Sequence, residues 1–354
     1  MTAGGPGSGS PGVTTRELVG ADLDAWRGLL ARSEQGGPYA SPEYLAALCA
    51  ATGGSWRIVG AFLHGQLAGG LPVYATPSRW GEVVSNRTLL YYNGPVLDLP
   101  PKKFHSDRVG QRVAVLAALE RHVAQGGYAS VRLHAHDSLD DLRPFLAEGW
   151  RGGLSYSYVV PIADLAAQWQ QVDPNLQRLI RRCEKEGVTY REDDDVAALF
   201  RLHLQTHQRR GAPLYLPEAA FRRYFEQARA AGIARLGHAI YQGQVIASQL
   251  MLTGPGRVAH TVCAGADEQY LKMGASAFLR WRSFEALAAA GYTADDLTNA
   301  SLNSVTRFKS QFGGRLALSA TVSRIFSRGL RLVTSWRDLV AQIRGGESPA
   351  GGAA

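Results

Sequence analysis

Leu236-Gly237-His238-Ala239-Ile240-Tyr241-Gln242-Gly243-Gln244-Val245-Ile246-Ala247-Ser248-Gln249-Leu250-Met251 is an apolar run, a turn ending in Gly-Gln, and a second apolar run. That is the signature of a β-hairpin. Far upstream, Ile58-Val59-Gly60-Ala61-Phe62-Leu63-His64-Gly65-Gln66-Leu67-Ala68-Gly69-Gly70-Leu71-Pro72-Val73 states the same pattern. Helical patterns precede each copy, Leu23–Ser33 and Pro42–Thr52 in the first, Val196–Arg210 and Pro217–Ala231 in the second. Each copy is followed by further strands, a longer helix (Val109–Gln125; Ser276–Ala290) and another strand (Ala129–His134; Tyr292–Leu297). The same order stated twice predicts an α/β (α+β) chain made of two copies of one unit, each built on a mixed sheet. The boundary is expected in the polar connector Asp164–Val172, giving units at 13–165 and 166–335. The Gly/Ser/Pro-rich ends, 1–12 and 345–354, read as disordered tails.

Composition narrows the partners. Lys and Arg number 38 against 30 Asp and Glu, for a net charge of +8 and a pI near 9.5. The excess favours anionic partners such as nucleic acid, a phosphorylated carrier or an anionic membrane face. Cys49, Cys183 and Cys263 stand far apart without metal-type spacing, so neither a disulfide framework nor a metal site is expected. A reducing cytoplasm fits that usage, and no secretory signal or membrane-spanning apolar run is present.

Two segments concentrate the basic charge. Asp173-Pro174 places an N-cap and a first-turn proline before a helix, Pro174–Glu186. Leu176, Leu179, Ile180 and Cys183 form its apolar stripe, and Arg178, Arg181, Arg182 and Lys185 form a basic ridge on nearly the opposite face. From Ser301 to Arg337 the bases Arg307, Lys309, Arg315, Arg324, Arg328, Arg331 and Arg337 occur without an acid, a run expected to meet an anionic surface. Within it, Arg307-Phe308-Lys309-Ser310-Gln311-Phe312-Gly313-Gly314 sets one lysine between aromatics just before a glycine pair that ends a helix. A cation on an apolar floor suits the stabilisation of an oxyanion or the grip of a phosphate.

The order of Asn175–Val188, Gln208-Arg209-Arg210-Gly211-Ala212-Pro213, Ala264-Gly265-Ala266 with Tyr270 and Gly274, Asp296-Leu297, Phe308-Lys309 and Phe312-Gly313-Gly314 resembles the Fem-type peptidyltransferases of the GNAT superfamily. The resemblance spans roughly residues 40 to 322. It implies two tandem GNAT-like domains, each a mixed, mostly antiparallel sheet flanked by helices, with the transfer site in the second. It implies amide formation, in which an amine on a cell-wall precursor peptide or similar small acceptor attacks an aminoacyl-tRNA. It assigns oxyanion and terminal-phosphate contacts to Lys309, the acyl pocket to Phe308, and carrier or acceptor phosphates to Arg178 and Arg181, with Arg182 beside them and Arg307 next to the site. Thr298-Asn299 follow Asp296-Leu297 where the family frequently has Gly-Gly.

The chemistry needs an amine, an orienting pocket and one stabilised oxyanion, and no metal or redox cofactor. Tyr270, His260 and Asp296 are candidates for a general base, each at a strand or turn end. Tyr215, in a loop, is a candidate for the acceptor groove; Asn299 stands at the site's edge; Tyr92 and Asn93, in a Tyr-Tyr-Asn-Gly-Pro turn, are candidates for closing the cleft from the first unit. Two alternatives stay open. One is a coenzyme-A-dependent N-acetyltransferase, although Gln269–Ser276 lacks the usual glycine pattern of acyl-CoA enzymes of this fold. The other is an inactive pair binding RNA or a membrane surface. A monomer is expected. No Gly-x-Ser-x-Gly elbow, Walker motif or Rossmann glycine pattern occurs.

Overall fold

The computed structural model describes residues 12–85 and 89–334. The two tails, apart from Gly12, and Arg337 lie outside the described residues. In the first half, β1 (Val13–Glu17), α1 (Asp22–Arg32) and α2 (Pro42–Thr52) precede the hairpin β2 (Ser55–Leu63) and β3 (Gln66–Ser78). Next come β4 (Gly81–Val84), β5 (Val96–Leu97), α3 (His105–Ala124), β6 (Ser130–His134), α4 (Arg143–Ala147) and β7 (Arg151–Pro161). Two short helices, α5 (Leu165–Gln171) and α6 (Pro174–Lys185), bridge to β8 (Thr189–Glu192), α7 (Val196–Arg210) and α8 (Glu218–Ala230). The second hairpin, β9 (Ala234–Tyr241) and β10 (Gln244–Leu252), leads to β11 (Val258–Ala266), α9 (Ala275–Ala289), β12 (Ala294–Asp296), α10 (Ser304–Ser310) and β13 (Arg315–Ile325).

The repeat read from the sequence is a repeat of structure. Both hairpins close through a two-residue turn with positive φ at each position, His64-Gly65 (51°, 80°) and Gln242-Gly243 (50°, 78°). Such turns match the twist of the strands they join. Each hairpin carries one register shift, between Ala61 and Phe62 in one and between Val245 and Ala247 in the other. The pairing is the same in both halves, β1-β2-β3-β4 and β8-β9-β10-β11 antiparallel, followed by a parallel step to β6 and to β12.

The final strand of each half crosses over. β7 pairs with β12 of the other half, β13 pairs with β6, and β7 and β13 pair with each other. One sheet therefore runs through the whole chain in the order β1-β2-β3-β4-β6-β13-β7-β12-β11-β10-β9-β8. The apolar core also spans both halves: Trp26, Tyr44 and Leu45 share a cluster with Phe221, Tyr224, Phe225 and Leu250.

The connector expected at Asp164–Val172 is instead the helix α5. Asp164 caps it through the amide of Ala167 at 3.0 Å, and Leu165 and Trp169 pack on the second core, so a short polar-looking segment acquires a buried side. Asp173 caps α6 as its sequence predicts, accepting from the Asn175 amide at 2.8 Å. α6 buries Leu176, Ile180 and Cys183. Among the described residues no helix is long and apolar enough to cross a membrane.

Candidate active site

The parallel strands β11 and β12 pair over only three residues each, ending at His260 and Asp296. Beyond that point they separate, and the widening gap opens the sheet. Two connected hollows fill it. One, of ≈390 Å³, lies between α6, the start of α9 and α10, with Arg209, Arg210, Gly274, Ser276 and Phe308 on its wall. The other, of ≈190 Å³, is lined by Tyr91, His207, Tyr215, Asn299 and Ser301. Lys309, Arg210 and Arg280 border both hollows.

Lys309 sits in the last turn of α10, whose first turn is capped by Asn303 on the Thr306 amide at 2.9 Å. The chain then reverses at Gly313, where φ is +73° and a Cβ would lie 2.5 Å from Cβ of Gln171. Only glycine fits both the backbone and the space. The turn is tied down from α5 and α6: Gln168 donates to the carbonyl of Phe312 at 2.6 Å, and the Asp173 amide donates to the carbonyl of Gln311 at 2.8 Å. Phe312 is fully buried and meets Phe308 and Phe284 edge to face, with centroids 5.2 and 5.5 Å apart. An aromatic cluster therefore underlies the turn that follows Lys309.

The Lys309 ammonium donates to the carbonyl oxygens of Thr298 and Asn299, the latter at 2.8 Å. Two of its three hydrogens are thus committed, and one valence of Nζ is left for the cleft. Burial, and then the like charge of Arg280, push its pKa down to about 7, against the opposing pull of Asp296 and Asp295. Thr298 and Asn299 both have positive φ, 49° and 38°. For a β-branched threonine that conformation is strained. The strain is held by three bonds besides those of Lys309 itself: Asp296 accepts from the Thr298 amide at 2.7 Å, Thr298 Oγ1 donates to the Thr261 carbonyl at 3.1 Å, and Tyr92 fixes Asp296 from the other side at 2.7 Å. The left-handed pair explains the glycines common at this place in the family the sequence resembles, and its product is two carbonyls aimed at one ammonium.

Several residues singled out in the sequence do not reach the cleft. Asp296 is buried between Tyr92 and the Thr298 amide and positions the Thr298-Asn299 turn instead of facing substrate. His260 is buried against Tyr39, ring centroids 4.9 Å apart, and burial lowers its pKa to about 4. Tyr270 packs on Tyr241 at 5.8 Å and lines neither hollow. Tyr92 points at Asp296, and its neighbour Tyr91 is the one that lines the second hollow; a Tyr-Tyr pair in a turn gives no sign of which ring turns outward. Asn93 spends its side chain on backbone, donating to Arg132 at 3.0 Å and accepting from His134 at 2.8 Å.

The basic ridge of α6 also faces away from the hollows, because the helix presents Asn175, Leu176 and Leu179 to them. Arg178 bonds Asn175 at 3.1 Å, Arg181 lies over Trp169 at 5.5 Å, and Arg182 pairs with Glu186 at 2.8 Å. Arg307 is exposed and lies on neither wall. The acid-free run finds acids elsewhere in the chain: Arg315 meets Asp137 at 2.7 Å and Arg324 meets Glu120 at 3.6 Å. Lys309, Phe308, Tyr215 and Asn299 do reach the cleft.

The structure adds two residues that the sequence did not single out. His207 lies in the second hollow with its ring 5.0 Å from that of Tyr215. Its Nδ1 faces the Pro213 carbonyl at 2.7 Å, so Nδ1 carries the hydrogen and Nε2 is the basic nitrogen. Burial lowers its pKa, which keeps it neutral near pH 7. Arg280, from the second turn of α9, is the other. Cys263, within 3.2 Å of His203, is no nucleophile: burial raises its pKa to about 12. Among the described residues no cluster of metal-ligating side chains occurs.

Residues 171–310 match the family model described as an acetyltransferase (GNAT) domain. No curated protein sequence matches the chain. Among solved structures, FemX aligns with a TM-score of 0.70 at 12% identity, over 90% of this chain and 99% of that one. L-PGS from Bacillus licheniformis aligns at 0.57 and 15% identity, over 91% and 97%. A tandem GNAT protein from the clavulanic acid biosynthesis pathway aligns at 0.53 and 13% identity, over 88% and 98%. Residues 171–310 match a GNAT domain, and the whole chain shares its tandem GNAT fold with FemX and with the clavulanic acid pathway protein.

Proposed function

We propose that this protein is an N-acyltransferase that forms an amide bond, moving an amino acid from an aminoacyl-tRNA to an amine of a peptidoglycan-precursor peptide or a similar small acceptor. The observation that carries the reading is the free valence of Lys309 Nζ at the meeting point of two hollows. One hollow suits a phosphate-bearing carrier, because Arg209, Arg210 and the N-terminal end of α9 converge on it. The other, narrower and lined by Tyr91, His207 and Tyr215, suits the acceptor.

In this reading the acceptor amine attacks the ester carbonyl, His207 Nε2 takes the amine's proton, and the remaining N–H of Lys309 holds the oxyanion. Attack forms the C–N bond; collapse re-forms the carbonyl, breaks the ester C–O bond and expels the ribose oxygen of the tRNA, which takes the proton from His207. Phe308 closes the acyl pocket. A cytoplasmic monomer, free of cofactors, is the setting proposed, with contact to an anionic membrane surface where the acceptor is carried there.

Similarity to FemX and to L-PGS supports the reading at the level of fold. A second reading, coenzyme-A-dependent N-acyl transfer, is favoured by one observation: the start of α9, with Gly274 and Ser276, opens on the same hollow as Phe308. Transfer of radiolabelled amino acid from charged tRNA to a peptide amine separates the two. Loss of transfer on ribonuclease treatment and in Lys309→Ala is expected; full activity with acetyl-coenzyme A and none with charged tRNA would overturn the proposal.

A further inference from the structure

Arg280 is 7% exposed and borders both hollows. Its Nη1 has no hydrogen-bond partner among the described residues. The nearest acid, Asp295, is 3.9 Å away, beyond hydrogen-bond length. That carboxylate is instead bonded by Thr261 Oγ1 at 2.7 Å. A buried guanidinium is costly unless its donors are matched, and natural interiors seldom leave one unmatched without a role. Arg280 is also held in place, since α9 packs against β9, β10 and β11.

The charge around it is unbalanced. Lys309 feels Arg280 and Arg210 as like charges and Asp296 and Asp295 as opposite ones, and Asp296 is taken up by Tyr92 and the Thr298 amide. Arg209, Arg210, Arg280 and Lys309 on the walls make the cleft basic. A planar, monoanionic oxygen ligand matches both the charge and the flat fork of the guanidinium.

We propose that Arg280 Nη1 binds a carboxylate, and that the acceptor entering beside Tyr91 and Tyr215 carries that carboxylate as well as its amine. Which substrate bears the carboxylate rests on the transferase reading above; the presence of a carboxylate site does not. The site would fix the acceptor on the far side of Lys309 and reject neutral amines.

Calorimetry on the full chain tests it with two non-reactive probes, N-acetyl-alanyl-alanine and its C-terminal amide. The acid is expected to bind roughly tenfold or more tightly than the amide, as for a charge-assisted hydrogen bond in a buried site. Arg280→Gln should erase the difference, and Asp295→Asn, which removes the competing anion, should preserve or widen it. Equal binding of acid and amide by the unaltered protein overturns the assignment without recourse to any variant. So does a preference that survives in Arg280→Gln, or inorganic phosphate displacing the acid more effectively than acetate does. An acid preference together with no transfer to any amine sinks the transferase reading and leaves the carboxylate site standing. Transfer with no acid preference does the reverse.

Discussion

Tyr92 Oη, from the first half of the chain, donates a 2.7 Å hydrogen bond to Asp296 Oδ2 at the end of β12 in the second. The same carboxylate holds the Thr298 amide, and the Thr298 carbonyl accepts from Lys309. A residue outside the GNAT match at 171–310 thereby sets the position of the cation within it. Tyr92→Phe leaves a buried carboxylate short of a donor and should cost about 1–3 kcal/mol. Urea denaturation should show that loss in a single transition, with both halves melting together; two transitions would contradict the continuity of the sheet.

Lys309 and His207 predict the shape of the pH profile. Lys309 is a cation only below its pKa of about 7, so the rate should fall as pH rises through that value. His207, whose pKa burial sets below the ordinary histidine value of 6.5, is a base only above that lowered pKa, giving a rising limb on the acid side. Lys309→Arg should abolish the alkaline limb while lowering the rate, because the guanidinium stays charged but fits the two carbonyls poorly. His207→Asn should abolish the acid limb. A profile unchanged by both would remove both residues from the chemistry.

Stability carries an independent signature of the same lysine. Its pKa falls from 10.5 to about 7 on folding, so between those values the unfolded chain binds more protons than the native one. Stability therefore increases with pH across that window, and the increment disappears as pH falls through 7. The difference in unfolding free energy between the unaltered protein and Lys309→Met should grow from pH 7 to pH 10, and stay flat from pH 5 to pH 6.

Gly313→Ala tests the support under the lysine. A methyl there meets Cβ of Gln171 at 2.5 Å with φ at +73°, and a left-handed alanine alone costs about 1–2 kcal/mol. Both stability and transfer should drop, whereas the same change at Gly110, on an exposed face of α3 with open space around it, should be neutral or slightly stabilising. Equal tolerance at the two positions would show that the Gly313 turn does not position the site.

Expression of residues 13–165 alone should give an insoluble or unfolded product. β6 would lack its neighbour β13, and β7 would lack both β13 and β12. Co-expression with 166–335 should restore a folded complex, visible as co-purification and dispersed amide resonances. A well-folded isolated first half would argue against the exchanged strands as a necessity.

The repeat was legible because hairpin chemistry is local: an apolar run, a Gly-Gln turn and a second apolar run name themselves wherever they occur. Helices α2 and α7 match the sequence reading at both ends for the same reason, each having a capping residue and a closing glycine. Phe308, Lys309 and the Gly313 turn were legible as chemistry on a rigid stop. What stayed hidden depends on partners far away in the chain. The ridge on α6 could not be told from a binding surface until Trp169 and Glu186 appeared beside it. Arg280 lies in a helix of mixed polarity where nothing in the sequence distinguishes it from Arg282, which pairs with Glu184 and Glu285. The exchange of β7 and β13 follows from which neighbour each strand meets, a property no local pattern encodes.

That exchange also governs the order in which the chain can acquire its structure. β6 and β7 leave the ribosome with their inner edges unpaired, and β6 waits for β13, which begins more than 150 residues after β7 begins. Pairings so distant are slow to form, and exposed strand edges invite association with other chains in the interval. The early half of this protein thus stays open to association with other chains until residue 325 is made, and its yield in a cell is expected to fall when translation through the second half slows.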